Sequence, residues 1–152
     1  MRATAPVTIL LVEDDEIDVM ALQRAFRSLK IANPVVRALD GIEALDYLKG
    51  TNGKPRVPEP TLVLLDLNLP RMGGIEFLEA LRQDPALDTT VVFVMTTSAD
   101  EEDRISAYRR HVAGYVLKHH PAKSFLDAVN MLHSFWRIIE FPMARSPSNL
   151  PR

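Results

Sequence analysis

The sequence predicts a single-domain α/β fold, a doubly wound five-stranded parallel sheet with five helices. Three observations carry this prediction. Five short apolar bursts punctuate the chain, each four or five residues long and most of them rich in β-branched residues. Amphipathic segments with helical spacing separate the bursts. The length of 152 residues fits one domain, at about 150 residues per domain. Strands that alternate with helices are joined by right-handed crossovers, which put helices on both faces and bury the strands between them.

The first strand is Thr8-Ile9-Leu10-Leu11-Val12, and Ile17, Met20, Ala21, Ala25 and Leu29 follow at helical spacing. The second burst is Val35–Ala38, and Asp40 with Glu43 reads as a capping box for the next helix. Lys49 to Pro60 holds three prolines and two glycines and reads as a surface loop. The third strand is Leu62–Leu65, and Ile75, Leu78 and Leu81 mark the helix after it. The fourth is Val91–Met95, with Ser98 and Glu101 as the cap of the helix that follows. The fifth is Gly114–Leu117; Pro121 suits the first turn of a final helix over 122–139, with Phe125, Val129, Leu132, Trp136 and Ile139 along one stripe. Residues 1–143 form the domain in this reading, and 144–152 a mobile tail with Ser and Pro but little apolar content.

Composition narrows the function. Hydrophobic residues make up 47% and charged residues 25%, which is ordinary for a globular chain and unlike a disordered one. With 18 basic and 20 acidic side chains the net charge is −2, so no basic excess exists to hold a nucleic-acid backbone. The absence of cysteine removes disulfides, zinc–thiolate sites and thiol catalysis. The apolar run Val7–Val12 is too short for a secretory signal, and no run is long enough to span a membrane. The expectation is a cytoplasmic protein.

In an open α/β sheet, ligands bind beyond the carboxyl ends of the strands. Glu13-Asp14-Asp15 directly follows the first strand and Asp66 directly follows the third. If those strands are neighbours, their carboxylates converge, and crowded carboxylates call for a cation. A small hard dication held by carboxylates, a carbonyl and water is the preference of Mg²⁺. Thr96 and Lys118, at the ends of the fourth and fifth strands, face the same crevice; one offers a hydroxyl and the other an ammonium to a phosphoryl group. Together these groups suit the uptake of a phosphoryl group on an exposed aspartate. His111, His119, His120 and His133 lack zinc-ligand spacing.

The residues Ile9-Leu10-Leu11-Val12-Glu13-Asp14-Asp15, Leu64-Leu65-Asp66-Leu67-Asn68-Leu69-Pro70-Arg71-Met72-Gly73-Gly74, Met95-Thr96-Thr97 and Gly114-Tyr115-Val116-Leu117-Lys118 resemble the receiver domain of two-component response regulators. Asp66 precedes Thr96 by 30 residues and Lys118 by 52, as in receivers. The resemblance covers about Val7 to Ile139. It implies a CheY-like, flavodoxin-like sheet of order 2-1-3-4-5 and a phosphorelay signalling role. Asp66 would be the phosphoacceptor. Mg²⁺ would be bound by Asp14 directly, by Glu13, by Asp66 and by the backbone carbonyl of Asn68. Thr96 and Lys118 would contact the phosphoryl group, and Tyr115 would be the aromatic switch residue. Thr96 is preferred to Thr97 as the switch hydroxyl, and Asp15 and Glu16 read as helix-start charges.

Three features depart from the general receiver pattern. His119-His120 stand between Lys118 and Pro121, where proline usually follows the lysine. The loop over 49–60 is long, and the chain continues with Phe135-Trp136-Arg137-Ile138-Ile139-Glu140-Phe141-Pro142. The long loop, Asn68-Leu69-Pro70 and this ending resemble the small response regulators paired with bacterial phytochrome histidine kinases. The implied partner is a phytochrome-type sensor kinase, with no nucleic acid and no membrane. With no second domain in view, the output is protein–protein contact or onward phosphotransfer. The protein is then not an enzyme beyond self-phosphorylation and slow autodephosphorylation. The alternative is a haloacid-dehalogenase-type hydrolase with an aspartyl-phosphate intermediate. It wants a second aspartate two residues after the nucleophile, where this chain has Asn68.

The last helix, at 18 residues over 122–139, would be about 27 Å long and overhang strands of about 17 Å. Its end carries Phe135, Trp136, Ile138, Ile139 and then Phe141, a patch a monomer rarely leaves in water. The favoured expectation is a homodimer formed through this arm; the other is that the arm folds back over its own domain.

Overall fold

The computed structural model describes residues 6–143. The expected tail over 144–152 lies outside the described residues. The element order is β1 (Thr8–Val12), α1 (Glu16–Ser28), β2 (Val35–Ala38), α2 (Gly41–Lys49), β3 (Thr61–Leu65), α3 (Gly74–Gln83), β4 (Val91–Thr96), α4 (Glu101–Arg109), β5 (Gly114–Leu117) and α5 (Phe125–Ile138). All strands pair in parallel, in the order β2-β1-β3-β4-β5. β1 and β3 are neighbours in register, Val12 beside Leu65, so the residues that follow each of them emerge side by side.

Strand alternation builds two cores, because successive side chains point to opposite faces. Leu10, Val12, Val63, Leu65, Val92 and Val94 face α2, α3 and α4, where Leu48, Phe77, Leu81 and Ala107 meet them. Ile9, Leu11, Leu62, Leu64, Phe93 and Met95 face α1 and α5, where Leu22, Phe26, Leu132 and Trp136 meet them. Helices on both faces explain why these strands are apolar throughout.

The α2 cap is as read: Asp40 accepts from the Glu43 N–H at 2.9 Å. The loop after α2 turns at Gly50, whose φ of 71° is left-handed and suits glycine. Val57 pins that loop to the core.

Two helix starts differ from expectation. The cap of α4 is Asp100, which accepts from the Glu102 N–H at 2.9 Å, while Ser98 donates its hydroxyl to Asp103 at 2.6 Å. α5 begins at Phe125 behind the cap Ser124, so Pro121 stays outside the helix. A helix of 14 residues is about 21 Å long, and most of the expected overhang disappears.

The C-terminal arm also differs. Trp136 is only 3% exposed and packs on Phe26 with ring centres 5.9 Å apart. Phe135 meets Phe93 edge-on at 4.7 Å, and Phe141 packs on the same core. These three rings, assigned to a partner chain in the sequence reading, fold back over their own domain. Ile139 is half-buried, and Ile138 alone of the five stands in solvent, at 82% exposure.

Candidate functional site

β3 delivers Asp66 to the carboxyl edge of the sheet, where it is buried. Each oxygen of its carboxylate has a donor. Oδ1 accepts from the Thr96 hydroxyl at 2.8 Å and from the Asn68 N–H at 3.2 Å, and Oδ2 accepts from Lys118 Nζ at 3.1 Å. Thr96 ends β4 and Lys118 follows β5, so three adjacent strands meet at one carboxylate. Gly74 lets α3 start against this loop. A Cβ there would lie 2.7 Å from the Asp66 carbonyl oxygen, too close for any side chain.

β1 delivers Glu13 beside Asp66. Its carboxylate accepts from Lys118 Nζ and from the Asp15 N–H. Lys118 also donates to Asp18 at 2.7 Å, from the first turn of α1. Glu13, Asp18 and Asp66 bring three carboxylate oxygens within 4.8 Å of one another. Beneath them a cavity of about 20 Å³ is floored by Leu22, Leu64, Met95 and Phe125.

The electrostatics follow from this crowding. Burial, reinforced by the Asp66 charge, raises Glu13 from 4.5 to about 7, although Lys118 opposes the rise. Burial also acts on Asp66, but the Lys118 ammonium and the hydrogen bonds around it outweigh burial and hold it below its ordinary value. Asp66 is thus an ionised carboxylate with a donor on each oxygen. Burial would lower Lys118, but its bonds to Asp18 and Glu13 raise it, so it stays an ammonium. A cation already sits among the three carboxylates, and an all-oxygen set around a positive centre fits a hard dication. Glu13 and Asp66 are the buried side chains placed to hold one, with Asp18 beside them on Lys118.

Most of the expected residues converge, with exceptions. Glu13, Asp66, Thr96 and Lys118 meet, and Asn68 joins through its backbone N–H, which donates to Asp66. Thr96 is buried on Asp66 whereas Thr97 is exposed. Asp14 does not join the carboxylate cluster: it is exposed, and Asp18 stands in the place expected for it. The reason is local. Arg37 on β2 holds the Asp14 carbonyl at 3.0 Å, and Asp15 is already the α1 cap, accepting from Ile17 N–H at 2.8 Å. Tyr115 is half-buried, its hydroxyl donating to the Ser98 carbonyl at 2.8 Å. The peptide after Lys118 is trans, as a non-proline bond favours. His119 and His120 are exposed and join no carboxylate cluster among the described residues.

Sequence reasoning missed Asp18 and Arg37. Asp18 carried one signal, a carboxylate beside the buried stripe Val19 and Leu22 at the end of α1 nearest the acidic loop.

Solved relatives share this fold over nearly their whole length. The response regulator receiver domain family matches residues 9–130. Response regulator Rcp1 of Synechocystis sp. is 37% identical over 135 residues, 89% of this chain and 92% of the relative. The crystal structure of the Mn²⁺-bound form of Rcp1 superposes with a TM-score of 0.77 at 35% identity, covering 91% of this chain and 100% of that one. The phosphorylated cyanobacterial phytochrome response regulator RcpA gives 0.76 at 32% identity, again over 91% and 100%. A phosphorelay regulator accounts for an ionised aspartate after the third strand with Asn68 two residues on; a dehalogenase-type hydrolase does not. By sequence, by sheet order and by the family match, the chain belongs to the response regulator receiver domain family of two-component signalling.

Proposed function

We propose that Asp66 is the phosphoacceptor and that its phosphorylation switches a protein-interaction face. The observation that supports this reading is the pair of donors on Asp66, Thr96 on one oxygen and Lys118 on the other. An Asp66 oxygen attacks phosphorus of the kinase's phosphohistidine. The O–P bond forms as the P–N bond breaks, the electron pair returns to the ring nitrogen, and the imidazole, protonated on its other nitrogen, leaves as the neutral base. Lys118 and Thr96 then face the new phosphoryl oxygens. Thr96 moves toward the phosphoryl group, and Tyr115 leaves the Ser98 carbonyl and turns inward.

The dication in this proposal would be Mg²⁺, which would supply charge neutralisation for the phosphoryl group. Glu13, Asp66, the Asn68 carbonyl and Asp14 would hold it. The Asp14 carboxylate has no partner among the described residues, so side-chain rotation would bring it inward while Arg37 still holds the Asp14 carbonyl. With Glu13 engaged by the ion, Asp18 would remain the partner of the Lys118 ammonium. Beyond self-phosphorylation and slow autodephosphorylation, no catalytic turnover belongs to this reading.

The proposed kinase is a phytochrome-type histidine kinase, on the likeness to RcpA and Rcp1, and the proposed compartment is the cytoplasm. Among the described residues no helix is long and apolar enough to cross a membrane. A homodimer is proposed through the outer face of α5, where Leu126, Met131 and Ile138 are exposed. The test mixes an autophosphorylated, radiolabelled phytochrome kinase with the chain. Label moves to the wild type and not to Asp66→Asn. Equal transfer from kinases of unrelated sensor classes contradicts the phytochrome pairing.

A further inference from the structure

Arg37 lies on the edge strand β2, paired with Leu11 of β1, and its guanidinium reaches over the loop that follows β1. It makes three contacts there. Nε donates to the Glu13 carbonyl at 3.0 Å, one terminal nitrogen donates to the Asp14 carbonyl at 3.0 Å, and the other pairs with the Glu16 carboxylate. The Glu13 N–H is tied to the same strand, donating to the Ala38 carbonyl at 3.0 Å. Two successive carbonyls are therefore turned toward β2, and the Glu13 carboxylate is left facing Lys118 beside Asp66.

This loop has a particular need for such a clamp. Glu13, Asp14, Asp15, Glu16 and Asp18 fall within six residues, and Asp66 stands opposite. Mutual repulsion favours an open loop. Lys118 counters that repulsion from inside the site, but it faces the phosphoryl group once Asp66 is modified. Arg37 counters it from outside and is engaged with carbonyls that phosphorylation does not touch. A guanidinium suits the task because its planar fork donates in several directions at once, which an ammonium does not match.

We propose that Arg37 is a positioning residue for the dication site, fixing the acidic loop so that Glu13 stays aimed beside Asp66. The proposal rests on the reading of this cluster as a Mg²⁺ site. Two roles for Arg37 predict opposite signs. If Arg37 acted only as a nearby positive charge, its removal would tighten Mg²⁺ binding by relieving repulsion. If it acts by positioning, removal weakens binding by about tenfold, the scale seen for groups that orient metal ligands.

The test is Mg²⁺ affinity by calorimetry on the full chain, with no phosphodonor present, for wild type, Arg37→Met, Arg37→Lys, Glu13→Gln and the double variant Arg37→Met/Glu13→Gln. Arg37→Met is expected to bind about tenfold more weakly, and Arg37→Lys to recover only part of the loss. Because Arg37 acts in part by aiming Glu13, Arg37→Met is expected to cost less when added to Glu13→Gln than in the wild type. Unchanged or tighter binding in Arg37→Met overturns the proposal, as does wild-type affinity in Arg37→Lys or full additivity in the double variant. If Arg37→Met does not fold, Arg37→Lys and Glu16→Gln carry the same test, each expected to weaken binding by less. A wild type that binds no Mg²⁺ overturns the metal reading itself and the proposal with it.

Discussion

Lys118 Nζ stands 3.1 Å from Asp66 Oδ2 across 52 residues of sequence, and the same ammonium bridges Glu13 and Asp18. One buried cation thus holds three carboxylates together, and it is the cation that would meet a phosphoryl group on Asp66. Lys118→Ala leaves those carboxylates uncompensated. Removing one partner of a buried ion pair costs about 3–5 kcal/mol. The expected result is a large loss of stability in chelator, substantially restored by Mg²⁺, which binds the folded site and offsets the repulsion. Chemical denaturation with and without Mg²⁺ reads this directly. An unchanged midpoint in chelator contradicts the pairing.

The response to phosphorylation is a separate outcome. In Lys118→Ala a phosphoryl mimic at Asp66 gains no new charge pair, so the bias toward the switched state is lost. Amide exchange over residues Thr96 to Tyr115 is expected to change on modification in the wild type and to stay flat in the variant. Equal changes in both contradict the role of Lys118.

Glu13 supplies a pH dependence whose sign is opposite to that of an ordinary paired carboxylate. In the metal-free fold it gains its proton at about 7, against 4.5 in the unfolded chain. Between those values the folded state binds more protons than the unfolded state, so Glu13's contribution to stability falls as pH rises from about 4.5 to 7. Asp66 acts in the other direction: held below its ordinary value of 3.8, it contributes stability that is lost only as pH falls further. Denaturation midpoints across this range in chelator, wild type minus Glu13→Gln, isolate the effect. The difference is expected to decline with rising pH, and a rising or flat difference contradicts the environment described for Glu13.

Much of this arrangement was legible in the sequence, for physical reasons that also mark where legibility stopped. Strands buried on both faces must be apolar throughout, so Thr8–Val12 and Leu62–Leu65 were found within a residue of their bounds. Asp40 was recognised because its partner Glu43 is three residues away. Ser98 and Pro121 satisfied the same local rules and were still misread, since Asp100 and Ser124 competed for each start and only tertiary placement decided between them. Asp18 was invisible because its partner is 100 residues distant, and Arg37 because its target is another strand's loop. The rings of Phe135, Trp136 and Phe141 looked unpartnered because the residues that cover them, Phe93 and Phe26 among them, lie on distant elements.

Asp14 and Asp18 can be ranked as Mg²⁺ ligands by measurement. Asp14→Ala is expected to weaken Mg²⁺ binding by about tenfold or more, as the loss of a direct ligand does for an ion that takes few protein ligands. Asp18→Ala is expected to weaken it less, because Asp18 acts on Lys118. Titration of both variants decides, and the reverse order would make Asp18 the ligand.

The C-terminal arm separates into a core part and a surface part. Trp136→Ala removes a buried ring and is expected to cost about 3–5 kcal/mol. Ile138→Glu alters an exposed position and is expected to leave stability nearly unchanged while converting the proposed dimer to monomer. Light scattering across the micromolar range reads the second effect. A wild type already monomeric there contradicts assembly through α5.

The central claim is that Asp66 accepts the phosphoryl group, and the most direct measurement is the mass of the protein after incubation with acetyl phosphate and Mg²⁺, followed by peptide mapping. The account predicts one added phosphoryl group per chain, located on the peptide containing Asp66, lost on chelation of Mg²⁺ during the reaction, and absent from Asp66→Asn. Full modification of Asp66→Asn, or a phosphoryl group mapped to another residue of the wild type, would contradict it.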